Sequence, residues 1–287
     1  MPDAMTACNT VDQCLRAGEA RLTAVSETPR LDAEVLLAHA LNWPRSRLYA
    51  YPEHTLAPDQ RRQWQQRLNK RLAGIPVAYL CEHAEFWSLP LRVTPATLIP
   101  RPETEGLVEW ALALGPSGAE RRVADLGTGS GAIALALAKE RSDWQFTAVD
   151  ISTEALNVAR HNAVQLGLSS HIHFIQGHWC QPLVGQAWDL IVSNPPYVAD
   201  ADPHLAALHH EPATALCAGP DGLRCIRSIV ADAFHCLTAN GWLLLEHGWD
   251  QGPAVRKLLS SAGYVDVETR RDLAGHERTS AGRRPET

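Results

Sequence analysis

The chain has no run of about eighteen apolar residues, which excludes a membrane-spanning helix of ordinary length. Its first residues, MPDAMTACNTVDQ, lack the basic stretch and apolar core of a signal peptide, so the expected location is the cytoplasm. Cysteine occurs seven times, an odd number, and never as Cys-x-x-Cys; reduced thiols fit this better than a disulfide framework or a zinc site. The thirteen histidines are scattered, with His209-His210 the only adjacent pair and no metal-ligand spacing, so no metal is expected. Internal repeats and low-complexity tracts are also missing. Excess positive charge is absent too: 26 Lys and Arg face 32 Asp and Glu. Residues 1–90 are balanced at ten against ten, so the whole net charge of −6 falls on residues 91–287. Such a balance argues against tight, sequence-independent nucleic-acid binding, which rests on neutralising phosphates. The densest basic stretch, Arg61, Arg62, Arg67, Lys70 and Arg71, reads as a solvated helix face, or else as a contact to RNA or an RNA-bound partner.

What is present is an ordinary globular composition, 45% hydrophobic and 20% charged over 287 residues, enough for one large domain or two smaller ones. Residues 1–75 read as a small helical bundle. PRLDAEVLLAHAL has apolar residues at helical spacing with Asp32 and Glu34 in its first turn, and Pro58 to Gly74 places Trp64, Leu68 and Leu72 four apart. Residues 76–100, aromatic, β-branched and broken by Pro90 and Pro95, suit a β-hairpin linker. From 101 to 287 strands alternate with helices, which predicts a mainly parallel sheet covered on both faces. Within this stretch a helix is expected over 222–241, ended by Gly241, and the tail from Ser280 is expected to fray.

Two motifs fall at the carboxyl ends of strands, where ligands of such sheets bind. The first is VADLGTGSGAIALA. Gly127, Gly129 and Gly131, with Thr128 and Ser130 between them, join a strand to a helix, so a ligand can approach the backbone beside free amide donors. Alone, this admits a dinucleotide site, a mononucleotide site or a tight turn. The spacing is GxGxG and Ala132 follows the third glycine, which weakens the dinucleotide fingerprint. Asp150 closes the next strand, twenty-three residues after Gly127, where a carboxylate can accept from both hydroxyls of a ribose. Together they favour S-adenosylmethionine over a nicotinamide dinucleotide. Asp125 is expected either to orient this loop or to receive the ligand's ammonium.

The second motif is Asn194-Pro195-Pro196-Tyr197 at the end of the apolar run WDLIVS. Two prolines give up two backbone donors and fix two φ angles, so the loop is stiff and offers carbonyl acceptors. Asn194 adds an acceptor and a donor, and Tyr197 a flat face. The set suits a planar NH₂ group, whose lone pair it would aim at an electrophile about 3–3.5 Å away.

These motifs resemble the class I methyltransferases that act on planar amino nitrogens. With EFWSLPLRVTPATLIPRPETE, DPHL, EPATAL, LLLEHGWDQG and RDLAGHERTSAGR, the chain is similar to the release factor glutamine methyltransferase family over about Thr10 to Arg284. The resemblance implies an α/β fold: a class I, Rossmann-like, S-adenosylmethionine-dependent domain, with a small N-terminal helical bundle and a β-hairpin linker. It implies methylation of the glutamine amide nitrogen in the Gly-Gly-Gln motif of class I peptide chain release factors, which would be the protein partner gripped by residues 1–75. Gly127 to Gly131 would then wrap the methionine part of the cofactor, Asp150 would hold its ribose, and Trp179 would pack on adenine. Asn194 would touch both substrate amide and cofactor, with Pro195, Pro196 and Tyr197 completing the glutamine pocket. Arg101 and Glu103 would line the cofactor site or pin the linker, and Glu246 would be structural. The chain departs from the family pattern at His178, where an acidic residue is usual; a neutral imidazole would make adenine binding pH-dependent. The segment between DPHL and EP is also slightly short, which bears on a loop near the substrate.

The competing readings are an amino-methyltransferase acting on a nucleic-acid base, since adenine presents the same NH₂, and a cofactor-binding regulatory module without catalysis. The acidic catalytic half and the lack of a recognition domain count against the first, and the intact Asn-Pro-Pro-Tyr against the second.

Overall fold

The computed structural model describes residues 8–115 and 118–286. They divide into two compact units, one running through His83 and the other starting at Ala84. Among the described residues no helix is long and apolar enough to cross a membrane, and all seven cysteines are free thiols.

The first unit packs α1 (Val11–Leu22), α2 (Pro29–Leu41), α3 (Arg45–Ala50) and α4 (Pro58–Leu72) around buried Leu22, Leu36, Leu37, Trp64 and Leu68. Thr10 and Gln13 close a capping box at the start of α1. Glu34, expected in the first turn of this helix beside Asp32, lies beyond it and is 1% exposed. It accepts from Arg30 and Arg45, each at 2.8 Å, and from the Tyr49 hydroxyl. Burial opposes its charge, but the three donors outweigh it and hold the carboxyl below its ordinary value. The basic stretch of α4 is largely occupied within the unit: Arg71 bonds Asp32 at 2.8 Å, Arg61 the Asn9 side chain, and Arg62 Asp59. The helical unit continues beyond residue 75, because Val77–Cys81 forms a short helix, α5.

The hairpin, β1 (Ala84–Phe86) and β2 (Leu89–Leu91), belongs to the second unit and buries Phe86, Leu89 and Leu91 in its core. Helix α6 (Glu105–Leu114) follows. A seven-stranded sheet is then built from β3 (Arg122–Leu126), β4 (Gln145–Asp150), β5 (Ile172–Gln176), β6 (Trp188–Ser193), β7 (Leu237–Glu246), β8 (Val265–Arg271) and β9 (Glu277–Arg283), in the order β5-β4-β3-β6-β7-β9-β8. The first five strands in that order are parallel; β9 runs antiparallel to both of its neighbours. Helices α6, α7 (Ala132–Glu140) and α8 (Thr153–Gln165) contribute to one core, and α9 (Arg224–Cys236) and α10 (Gly252–Ser261) to the other. Each face of the sheet is thus covered, which is why its central strands are apolar throughout.

Two expectations fail locally. Helix α9 ends at Cys236, not near Gly241, because Leu237 turns extended and pairs with Trp188. Gly241 lies so close to the Trp188 carbonyl that a Cβ would sit 2.9 Å from it. The tail does not fray from Ser280: Ser280 and Ala281 are fully buried in β9, between β7 and β8.

Candidate active site

In this order the chain passes from β3 outward to β4 and β5, then returns to lay β6 on the other side of β3. The reversal between β3 and β6 is the place where open α/β sheets bind ligands. Both sequence motifs emerge there. Leu126 and Ser193 are register partners, so Gly127 and Asn194 leave neighbouring strands side by side. Ser193 Oγ donates to the Leu126 carbonyl at 2.6 Å, tying the two exits together.

The glycine loop is held from below. The amides of Gly127 and Thr128 donate to the Val149 carbonyl at 2.8 and 3.0 Å, and the Thr128 hydroxyl donates to Asp125 Oδ2 at 2.6 Å. Asp125 also accepts from the Ala134 amide, while its Oδ1 is buried without a partner. Burial pushes its carboxyl up to about 7, against the two donors. Asp125 therefore organises the loop. The glycines do different things. Gly127 has φ +71°, and a Cβ there would meet the Trp179 ring at 3.2 Å; Gly131 packs α7 against Ala159 of α8; Gly129, φ +56°, has only open space where its Cβ would be. Asn162, buried on α8, donates to the carbonyls of Ser130 and Arg92 at 2.9 and 3.0 Å, and accepts from the Arg92 amide.

A cavity of about 440 Å³ opens above these loops, within the size range of small-molecule sites. Its floor holds Gly127, Thr128, Gly129, Ser130 and Asp150; Gly177, His178 and Trp179 form one side; Asn194, Pro196, Thr104 and residues 96–98 form another. Segments 212–217 and 224–228 supply the remaining lining. Asp150 receives the Gly129 amide at 2.8 Å and the Ser152 amide at 2.9 Å, and burial raises its carboxyl above the ordinary value against those bonds. Asp150 also lines the cavity. Of the remaining predicted residues, Gly131, Pro195 and Tyr197 are not among the lining side chains. Tyr197 is half-buried against the α9–α10 core, and its hydroxyl donates to Glu246 Oε1 at 3.3 Å.

The Asn-Pro-Pro-Tyr loop is clamped on its far side as well. Gln251 Nε2 donates to the Tyr197 carbonyl at 3.0 Å, and Val198 exchanges backbone bonds with Leu216 and Ala218. Arg101 pairs with Glu211, which also accepts from the Ile99 amide at 3.1 Å; Arg101 thus pins the segment 99–101, and Glu103 is exposed.

Thr104, Asn162, Glu211 and Gln251 have no place in the sequence-level site. Asn162 had a signal: it falls at helical spacing on the buried face carrying Ala155, Ala159 and Ala163. Thr104 directly follows Glu103, one of the two residues singled out in that segment. Glu211 and Gln251 stand in the quoted segments EPATAL and LLLEHGWDQG, but each acts across more than fifty residues of chain, and no spacing joins it to its partner.

A nucleoside sulfonium fits what is present: a loop backbone laid open at Gly129, an acid at the next strand end and an aromatic ring beside them, all on one cavity.

Residues 13–81 match the family described as PrmC N-terminal domain, and residues 110–216 the methyltransferase small domain. The release factor glutamine methyltransferase of Coxiella burnetii is 49% identical over 92% of this chain and 95% of its own length. That of Escherichia coli K12 is 48% identical over 90% and 93%. Among solved structures, a methyltransferase from Pyrococcus furiosus overlays with a TM-score of 0.53 at 18% identity, covering 77% of this chain and 98% of its own. The N-terminal domain of human METTL16 in complex with SAH overlays at 0.52 and 18% identity, over 70% and 77%. Such distant likeness speaks to the class I methyltransferase fold alone. The full-length similarity goes further: this chain belongs to the release factor glutamine methyltransferase family.

Proposed function

We propose that the chain transfers the methyl group of S-adenosylmethionine to the side-chain amide nitrogen of the glutamine in the Gly-Gly-Gln motif of class I peptide chain release factors, with the cytoplasm as its place of action. The observation that carries this reading is the convergence of the glycine loop and the Asn-Pro-Pro-Tyr loop on one cavity, from two adjacent parallel strands.

When bound, S-adenosylmethionine supplies an electrophilic methyl on a sulfonium sulfur. The residues that would hold it are Gly127 to Gly131 around the methionine part, Asp150 at the ribose and Trp179 at the adenine. An amide nitrogen is a poor nucleophile because its lone pair is delocalised. The loop answers this by position: Asn194 and the carbonyls preceding Pro195 and Pro196 accept both N–H bonds from one side, leaving the lone pair to face the donor. Tyr197 braces the pocket from behind. As the new N–C bond forms, the methyl–sulfur bond breaks and its electron pair stays on sulfur as a neutral thioether, and the nitrogen releases its proton to these carbonyls or to water. No strong base is needed. The helical unit would grip the release factor away from the glutamine.

The test is a labelled methyl-transfer assay offering an intact release factor, its Gln→Ala variant and DNA in parallel. Label on the intact factor alone supports the reading. Label on DNA, or equal label on the Gln→Ala variant, overturns it.

A further inference from the structure

The Asn194 side chain must present its carbonyl, not its NH₂, to a substrate amide if it is to accept an N–H. Nothing in the Asn-Pro-Pro-Tyr motif fixes that choice, because the two ends of an Asn side chain have nearly the same shape. Two buried residues outside the motif do. Asn194 lies beside Thr104, with Nδ2 at 3.1 Å from Oγ1. The Thr104 hydroxyl points its proton elsewhere, to Glu246 Oε2 at 2.6 Å. Thr104 is 4% exposed and Glu246 is 1% exposed, so water offers neither an alternative partner. A hydroxyl whose proton is committed to a carboxylate has only lone pairs left for a third group. The Asn194 NH₂ can meet them, whereas the Asn194 carbonyl would put two acceptors in contact.

We propose that Thr104 and Glu246 are positioning residues that set the rotation of the Asn194 amide, holding Nδ2 toward Thr104 and so turning Oδ1 to the substrate nitrogen. The proposal rests on the glutamine methyltransferase reading above and deepens it.

The fold makes the arrangement rigid. Ser193 pairs with Leu245 across β6 and β7, which brings Asn194 level with Glu246 one strand over. Thr104 closes the tight turn Pro102–Thr104 ahead of α6, with its own amide bonded to the Arg101 carbonyl at 3.1 Å. The second oxygen of Glu246 receives the Tyr197 hydroxyl, so the carboxylate is held at both ends. Glu246 thus connects the first and last residues of the motif, Asn194 through Thr104 and Tyr197 directly.

The experiment compares wild type, Thr104→Val and Thr104→Ser as full-length chains. It measures single-turnover methyl transfer to an intact release factor, KM for that factor, S-adenosylmethionine affinity by calorimetry, and the thermal midpoint. Thr104→Val keeps the shape and removes the hydroxyl. It should slow the methyl-transfer step about 10–100-fold, the scale of a misplaced reacting group, with cofactor affinity and KM within about threefold and the fold intact. Thr104→Ser restores the hydroxyl and should return the rate to near wild type. The proposal is overturned if Thr104→Val transfers methyl at the wild-type rate, if cofactor affinity or KM falls as much as the rate, or if Thr104→Ser is as slow as Thr104→Val. If either variant is unstable, rate per folded molecule at a lower temperature decides between the same outcomes. Failure of the underlying reading would look different: wild type itself would leave the release factor unlabelled.

Discussion

Ser193 Oγ donates to the Leu126 carbonyl at 2.6 Å, both groups fully buried, and this single bond ties the exit of β6 to the exit of β3. It holds the Asn-Pro-Pro-Tyr loop and the glycine loop in register. Removing one partner leaves a buried carbonyl unsatisfied, at a cost of about 1–3 kcal/mol. Ser193→Ala should lower stability to chemical denaturation by that amount and weaken both cofactor affinity and turnover. A loss confined to one of the two would show that the loops are positioned independently.

Asp150 accepts the Gly129 amide while facing the cavity, so it shapes the glycine loop, and under the proposed function it would also hold the ribose. Asp150→Ala is expected to weaken S-adenosylmethionine binding about 10–100-fold, in line with the loss of charge-assisted hydrogen bonds of about 1.5–3 kcal/mol. Turnover at saturating cofactor should fall much less. Calorimetric titration alongside saturating kinetics separates the two.

Gly222, φ +69°, approaches the loop so closely that a Cβ would sit 2.3 Å from the Tyr197 carbonyl and 2.7 Å from Gln251 Nε2. Gly222→Ala must therefore push the Asn-Pro-Pro-Tyr loop from behind, in addition to its dihedral strain. We expect a thermal midpoint several degrees lower, corresponding to a few kcal/mol. Methyl transfer should fall more than cofactor affinity, because the clash is on the substrate side.

Burial pushes the Glu246 carboxyl up to about 7; hydrogen bonds from Thr104 and Tyr197 and the charge of Arg278 oppose the shift, and Glu103 adds to it. If ionised Glu246 is what draws the Thr104 proton, turnover should decline as pH falls through about 7, and Glu246→Gln should lack that limb. Stability has the opposite sign. Glu246 and Asp125 both titrate above their ordinary values of 4.5 and 3.8. The folded chain therefore holds protons that the unfolded chain has released, and their contribution is complete below those ordinary values and lost as pH rises through about 7. Thermal midpoints measured from pH 5 to 8 should show this decline, smaller in Glu246→Gln.

Much of the fold was legible because local chemistry and global order agree. The alternation of strands and helices after residue 101 predicts the parallel sheet, and Ser152 caps α8 as expected, receiving the Ala155 amide at 3.1 Å. The two loops were legible for the same reason: glycine and proline act on their own backbone. The failures lie where sheet pairing overrides local preference. Thr238, Ala239 and Asn240 continue a helical pattern, yet the pairing of Leu237 with Trp188 draws them into β7. Ser280 and Ala281 look like a loose tail, yet they fill an inner strand whose partners lie more than ten residues away.

In the site, the glycine loop, Asp150, Trp179, Asn194 and Pro196 are legible in the sequence and line the cavity, whereas Thr104, which also lines it, carries no local signal. For Glu246, in LLLEHG, the resemblance implies a structural role. Its link to Asn194 passes through Thr104, 142 residues earlier in the chain. No spacing rule could join the three, because β7, β6 and the turn before α6 meet only once the sheet has formed.

The central claim is that this cavity methylates one glutamine side chain. The most direct test is fragmentation mass spectrometry of an intact class I release factor after reaction with the wild-type chain and with Asn194→Ala. The account predicts one added methyl, located on the glutamine of Gly-Gly-Gln with wild type, and little or none with Asn194→Ala at matched cofactor occupancy. A methyl on any other residue, or equal modification by Asn194→Ala, would contradict it.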